Sequence, residues 1–146
     1  MRKMDLRGQP ELQGSLSPAL LEFPQLEHLN LRGTEVSGDL AMLAECKKLT
    51  KLDLSKTKVA GDLKAIANTV KMSYLYLSDT KVEGNIKALQ NATELRTLDL
   101  ENTNISGDMA SLRDAKYLHT VDINGTRITG ARCSLQCSWG TSDNLD

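Results

Sequence analysis

The sequence predicts an α/β solenoid, and three observations carry that prediction. An apolar pattern recurs every 23 residues, opening at Leu26, Leu49, Met72, Leu95 and Leu118. Inside each unit most apolar residues first fall two apart, the pleat of a strand, and then three apart, the pitch of a helical turn. Glycine followed by Asp or Asn marks the same place in four successive units, at Gly38-Asp39, Gly61-Asp62, Gly84-Asn85 and Gly107-Asp108. A period of this length belongs to a stacked array, because one such unit cannot bury its apolar face alone.

Each element follows from its residues. The strand positions read Leu26, Leu29, Leu31, Thr34 and Val36 in one unit, and the same columns run through to Leu118, Val121, Ile123, Thr126 and Ile128. A bend is expected at Gly38, Gly61, Gly84, Gly107 and Gly130, where a side chain would obstruct the backbone. Asp39, Asp62, Asn85 and Asp108 come next, residue types whose side-chain oxygen accepts from an orphaned N–H at a helix start. The stretch Leu40 to Lys48, apolar at Leu40 and Leu43 and basic at its end, predicts a short helix or 3₁₀ segment. Stacked about 4.7–4.9 Å apart, such units pair their strands in parallel and turn the Leu columns into one core. Thr34, Thr57, Thr80, Thr103 and Thr126 share parity with Val36 and Val59, so they point inward, which sets aside an ice-binding array.

These residues resemble the leucine-rich-repeat proteins, and most closely their plant-type subclass. The spacing of Leu95, Leu98, Leu100, Thr103, Ile105 and Gly107 matches the repeat. Gly14-Ser15-Leu16-Ser17-Pro18-Ala19-Leu20, followed by Phe23, Leu26, Leu29 and Leu31, is similar to the Gly-x-Ile-Pro turn of that subclass. The resemblance runs over roughly residues 4 to 135. It implies a short right-handed arc with a parallel sheet on the concave face and short helices or 3₁₀ turns on the convex face. Two departures stand out. Thr replaces the family's Asn in all five units, so hydroxyls would have to bond the turn. The subclass Pro is missing after the first unit, which leaves the middle units free to be more helical and puts the second, smaller sheet of the plant-type fold in question.

The whole chain, residues 1–146, is expected to form one domain. Residues 1–25 would cap the N-terminal end, 26–48, 49–71, 72–94 and 95–117 would be regular repeats, and 118–146 the last repeat and C-terminal cap. Pro10, Pro18 and Pro24, the only prolines, would blunt the outermost strand. Arg132 replaces an apolar helix-entry residue, and Trp139, the sole Trp, is expected to cover the last layer.

Function in this architecture belongs to the row of outward strand side chains. Read across the units these are His28, Asn30, Arg32; Lys51, Asp53, Ser55; Tyr74, Tyr76, Ser78; Thr97, Asp99, Glu101; Thr120, Asp122, Asn124. Tyr74 and Tyr76 fall at the centre, where two amphipathic rings with little rotamer entropy to lose suit a binding hot spot, unless they only shield the sheet. Residues 1–46 carry net −3, residues 47–90 net +5 and the remainder net −3. On the strand face this puts Arg32 and Lys51 on one side of the tyrosines, and Asp99, Glu101 and Asp122 on the other, a division that could fix a partner's register. The candidate partner-binding residues are therefore Arg32, Lys51, Asp53, Tyr74, Tyr76, Asp99, Glu101 and Asp122.

No catalytic constellation is legible. His28 and His119 sit in different columns about 19 Å apart along the stack, too far to share a substrate atom. Tyr76 interrupts the Asp53, Asp99, Asp122 column, so no metal is expected, and phosphate-cradling glycine motifs are absent, so no cofactor is expected. The near-neutral balance argues against nucleic acid. Cys46 reads as a small core residue. Cys133 and Cys137, four apart, lie near the limit of disulfide geometry. Asn91, Asn104 and Asn124 head glycosylation sequons on paper. With neither a signal-type apolar run nor a segment of transmembrane length, a cytoplasmic protein is expected, although a secreted or receptor-derived fragment fits the family too. The sequence thus predicts a non-catalytic module that binds a protein or peptide on its strand face. A structural subunit of a larger assembly, or an excised receptor ectodomain, is the alternative, and the oligomeric state stays open.

Overall fold

A computed structural model describes residues 2–16 and 22–130. Part of the N-terminal motif (Ser17, Pro18, Ala19 and Leu20), together with Arg132, Cys133, Cys137 and Trp139, lies outside the described residues. Two parallel sheets of six strands run the length of the stack. The first is ordered β1 (Lys3–Asp5), β3 (His28–Asn30), β5 (Lys51–Asp53), β7 (Tyr74–Tyr76), β9 (Thr97–Asp99) and β11 (Thr120–Asp122). The second is ordered β2 (Gln13–Ser15), β4 (Glu35–Asp39), β6 (Lys58–Asp62), β8 (Lys81–Asn85), β10 (Asn104–Asp108) and β12 (Arg127–Thr129). Each unit runs from a strand of the first sheet through a tight turn to a strand of the second, then through a 3₁₀ turn and back.

The repeat dictates the register of the first sheet. Leu29 lies opposite Leu52, Leu52 opposite Leu75, Leu75 opposite Leu98 and Leu98 opposite Val121. Leu29, Leu52, Leu75 and Leu98 are fully buried in one continuous core cluster. The second sheet advances differently: Ser37 faces Lys58 and Ala60 faces Lys81, 21 positions on instead of 23. An even slip preserves parity, so Val36, Val59, Val82 and Ile105 still point into the core.

The second sheet corrects the expectation that losing Asn and Pro would weaken it. Strand pairing is a backbone matter, and the threonines satisfy the turn locally: Thr34, Thr57, Thr80 and Thr103 donate their hydroxyls to the carbonyls of Leu31, Leu54, Leu77 and Leu100 at 2.6–2.7 Å. These bonds lie within a unit, not in a ladder between units. The middle units are no more helical either. Leu40–Leu43, Leu63–Ile66, Ile86–Leu89 and Met109–Leu112 are single 3₁₀ turns, each started by the expected residue. Asp39, Asp62, Asn85 and Asp108 accept from the backbone N–H two residues on at 2.8–2.9 Å, satisfying a donor that the turn leaves orphaned.

Two further expectations are displaced. Gly38, Gly61, Gly84 and Gly107 lie inside the second-sheet strands, near their ends, and Gly130 just beyond β12, all with φ of 106–113°, a conformation that L residues rarely adopt. Pro10 and Pro24 sit in turns, and neither described edge strand at that end, β1 or β2, contains a proline. Cys46 is buried as read, with its thiol pushed above the ordinary range by burial and then by Glu45.

Candidate functional site

The outward face of the first sheet is built by alternation. Because Leu29, Leu52, Leu75, Leu98 and Val121 point in, their strand neighbours on both sides point out. Not all of them reach solvent. Asn30 and Thr97 on the strands, and Ser55 and Ser78 in the turns just beyond them, are buried, and Asp53 is only 7% exposed, against the expectation of a solvent-facing row. Two features accompany this burial. A column of Asx turns runs along the strand ends: Asn30, Asp53, Asp99 and Asp122 each accept, through Oδ1, the backbone N–H two residues later at 3.0–3.1 Å. The tyrosines then cover the middle. Tyr76 is half-buried and hydrogen-bonds to Thr97, and its hydroxyl is pushed above the ordinary range by burial and then by Asp53.

The eight nominated residues therefore separate by environment. Tyr74, 38% exposed, is the one large side chain of apolar character that this sheet presents to solvent among the described residues. Lys51 is half-buried on β5 and Arg32 is exposed just beyond β3. A small depression beside them is lined by Lys3, Asp5, His28, Asn30 and Lys51. Asp53 is buried between the basic end and Tyr76. Beyond the tyrosines, Asp99, Glu101 and Asp122 are all half-buried.

The structure draws these last three together more closely than column reading suggested. Each offers a carboxylate oxygen within 4.8 Å of the others. Glu101 lies two residues beyond Asp99, in the turn just past β9, and its side chain returns toward the Asp column, whereas the sequence places it in a separate one. The signal was present in the Asp-x-Glu spacing. Mutual repulsion marks the group. Glu101 is raised above the ordinary carboxyl range first by Asp122, then by burial, Asp99 and Asp79. Asp99 is raised first by burial, with Asp122 adding, against bonds from the Glu101 backbone and Ser78. Lys56 and Arg32 offset only part of this. None of the salt bridges among the described residues involves the three carboxylates. In the sequence Tyr76 divides the Asp column, which argues against a metal, yet these three carboxylates gather on one side of it.

A repeated unit of strand, second strand and 3₁₀ turn, stacked in parallel over a leucine core, defines a leucine-rich-repeat solenoid. Solved structures of similar fold specify which kind. The ectodomain of the receptor kinase SOBIR1 from Arabidopsis thaliana is 26% identical over 87% of this chain and 71% of its own, with a TM-score of 0.79. The Arabidopsis receptor kinase HAESA, solved with the peptide hormone IDA and the co-receptor SERK1, is 24% identical over 90% of this chain with a TM-score of 0.80. An internalin, InlF of Listeria monocytogenes, is 21% identical over 90% of this chain and 39% of its own, with a TM-score of 0.72. The architecture is the plant-type one, second sheet included. This chain spans 22% of the length of the HAESA chain. No family model and no curated protein sequence matches it.

Proposed function

We propose that this chain is a non-catalytic recognition module that binds a protein or peptide across the outward face of its first sheet, centred on Tyr74 and Tyr76. The observation that carries the reading is the exposure of Tyr74 in the middle of that sheet, flanked by half-buried Tyr76. An aromatic held there by a rigid sheet presents contact area at little entropic cost. Neighbouring folds support it, since HAESA is solved with the peptide IDA and PEPR1 with AtPEP1. The same neighbours include ectodomains, which favours an extracellular placement over the cytoplasmic one read from the sequence. Replacing both tyrosines with Ala should weaken a captured partner at least about tenfold, on the scale of a hot-spot loss, with the far-UV circular dichroism unchanged. Unaltered affinity would remove this face from consideration.

A second reading has its own observation. Val70 and Tyr117, 44% and 57% exposed, lie off the sheet in the return segments, with the Arg96 guanidinium 5.3 Å from the Tyr117 ring centroid. A scaffold subunit docking by its flank would use them. Cross-links at Lys64 and Lys87, on the 3₁₀ side, would favour it over the strand face.

A further inference from the structure

The strand face is long, narrow and electrically divided, and these three properties together restrict what can lie on it. Its strands are three residues long, with Arg32 and Glu101 two residues beyond them, so it is about 16 Å wide at ~3.3 Å per residue, and five strand steps make it about 24 Å long. That is a footprint of roughly 380 Å², still well under the ~800 Å² that each partner gives to a standard protein interface. A globular partner confined to this face would bury too little. A single extended chain laid across the strands fits its width.

Charge then sets the direction. By strand, Arg32 and Lys51 occupy the β3–β5 end beside buried Asp53, Tyr74 and Tyr76 the middle, and the half-buried carboxylates of Asp99, Glu101 and Asp122 the β9–β11 end, where the Arg32 charge offsets only part of their mutual repulsion. Resting on the reading of this face as a docking surface, we propose that its occupant is an extended peptide segment with divided charge. Its carboxylates lie over Arg32 and Lys51, an apolar or aromatic side chain rests on Tyr74, and its cations lie over Asp99, Glu101 and Asp122. From β3 to β11 is four strand steps, about 19 Å, which roughly six extended residues span. The opposite polarity would set carboxylate against carboxylate at one end and cation against cation at the other, so register and direction are selected together.

Selection of a displayed library of random ten-residue peptides on the full chain tests this. Enriched peptides should carry acidic residues at one end and basic residues about six positions away. Their affinity should fall at least about fivefold in the Glu101→Lys variant and weaken with added salt. Asp122→Asn, which keeps the acceptor for the Asn124 backbone N–H, should give a smaller loss in the same direction. Peptides that require Tyr74 but show no charge division would overturn the polarity and leave the docking face standing. Peptides indifferent to Tyr74→Ala and to both charge variants, or no enrichment at all, would overturn the docking face as well.

Discussion

Asp39 and Gly61 are locked together across two units. The Asp39 carboxylate caps its own 3₁₀ turn by accepting from the Ala41 N–H at 2.8 Å, and a Cβ on Gly61 would stand 2.5 Å from that same Oδ1. Successive units can close to sheet distance only because the residue facing the cap has no side chain. The same contact recurs between Asp62 and Gly84, Asn85 and Gly107, and Asp108 and Gly130.

Gly61→Ala is therefore expected to destabilise strongly. The methyl would meet the Leu40 backbone N at 3.0 Å as well as the cap, at a φ of 113°. Strain and displacement together should cost about 2–4 kcal/mol, read from chemical denaturation. A loss under about 0.5 kcal/mol, the range of an ordinary surface change, would mean that the layers are looser than the structure has them.

Thr57 tests how the turn is held. Its hydroxyl donates to the Leu54 carbonyl and receives the Val59 N–H at 3.4 Å, in a site almost closed to water. Thr57→Val keeps the shape and removes both bonds, so it should cost about 1–2 kcal/mol. Thr57→Ser should recover most of that, and equal losses in the two variants would point to packing instead.

Leu75 and Tyr74 are adjacent and should behave oppositely. Leu75→Ala empties a fully buried site in the central layer and is expected to cost about 2–5 kcal/mol. Tyr74→Ala removes a side chain from the solvent face, and its stability change should stay within about 0.5 kcal/mol while binding falls. Thermal melts of both variants, alongside partner affinity, check the contrast.

The carboxylate group makes stability depend on pH. Folding raises Glu101 and Asp99 above ordinary values of 4.5 and 3.8, so just above those values the folded chain binds more protons than the unfolded one. Stability from this source is present at lower pH and is lost as pH rises through the folded range. Glu101→Gln should thus raise the melting temperature slightly at pH 7, and the gain should shrink toward pH 4 and in high salt. A gain independent of pH would assign the effect to something other than charge.

The chain wrote its architecture plainly and its surface only in part. Leucine columns and the Asp39-type caps were legible because 23-residue spacing fixes parity and the cap needs one residue type at one place. The second sheet was harder to foresee, since its strands pair through backbone groups that carry no sequence signature, and the Thr34-type hydroxyls bond within the unit. Alternation places Asp53 and Ser55 on the outward face but not their burial, which depends on how adjacent units pack and which alternation does not encode. The approach of Glu101 to Asp122 depends on side chains crossing between units, a relationship that column-by-column reading separates.

The constant step between layers gives the molecule a property that a globular domain lacks. Duplicating one internal unit would lengthen the face by about 4.8 Å and move its positive and negative ends apart by that increment. Deleting one would shorten it equally, without redesign of the interior. Such a chain works as a graduated rule, on which evolution or an engineer could set the length of ligand accepted by counting units.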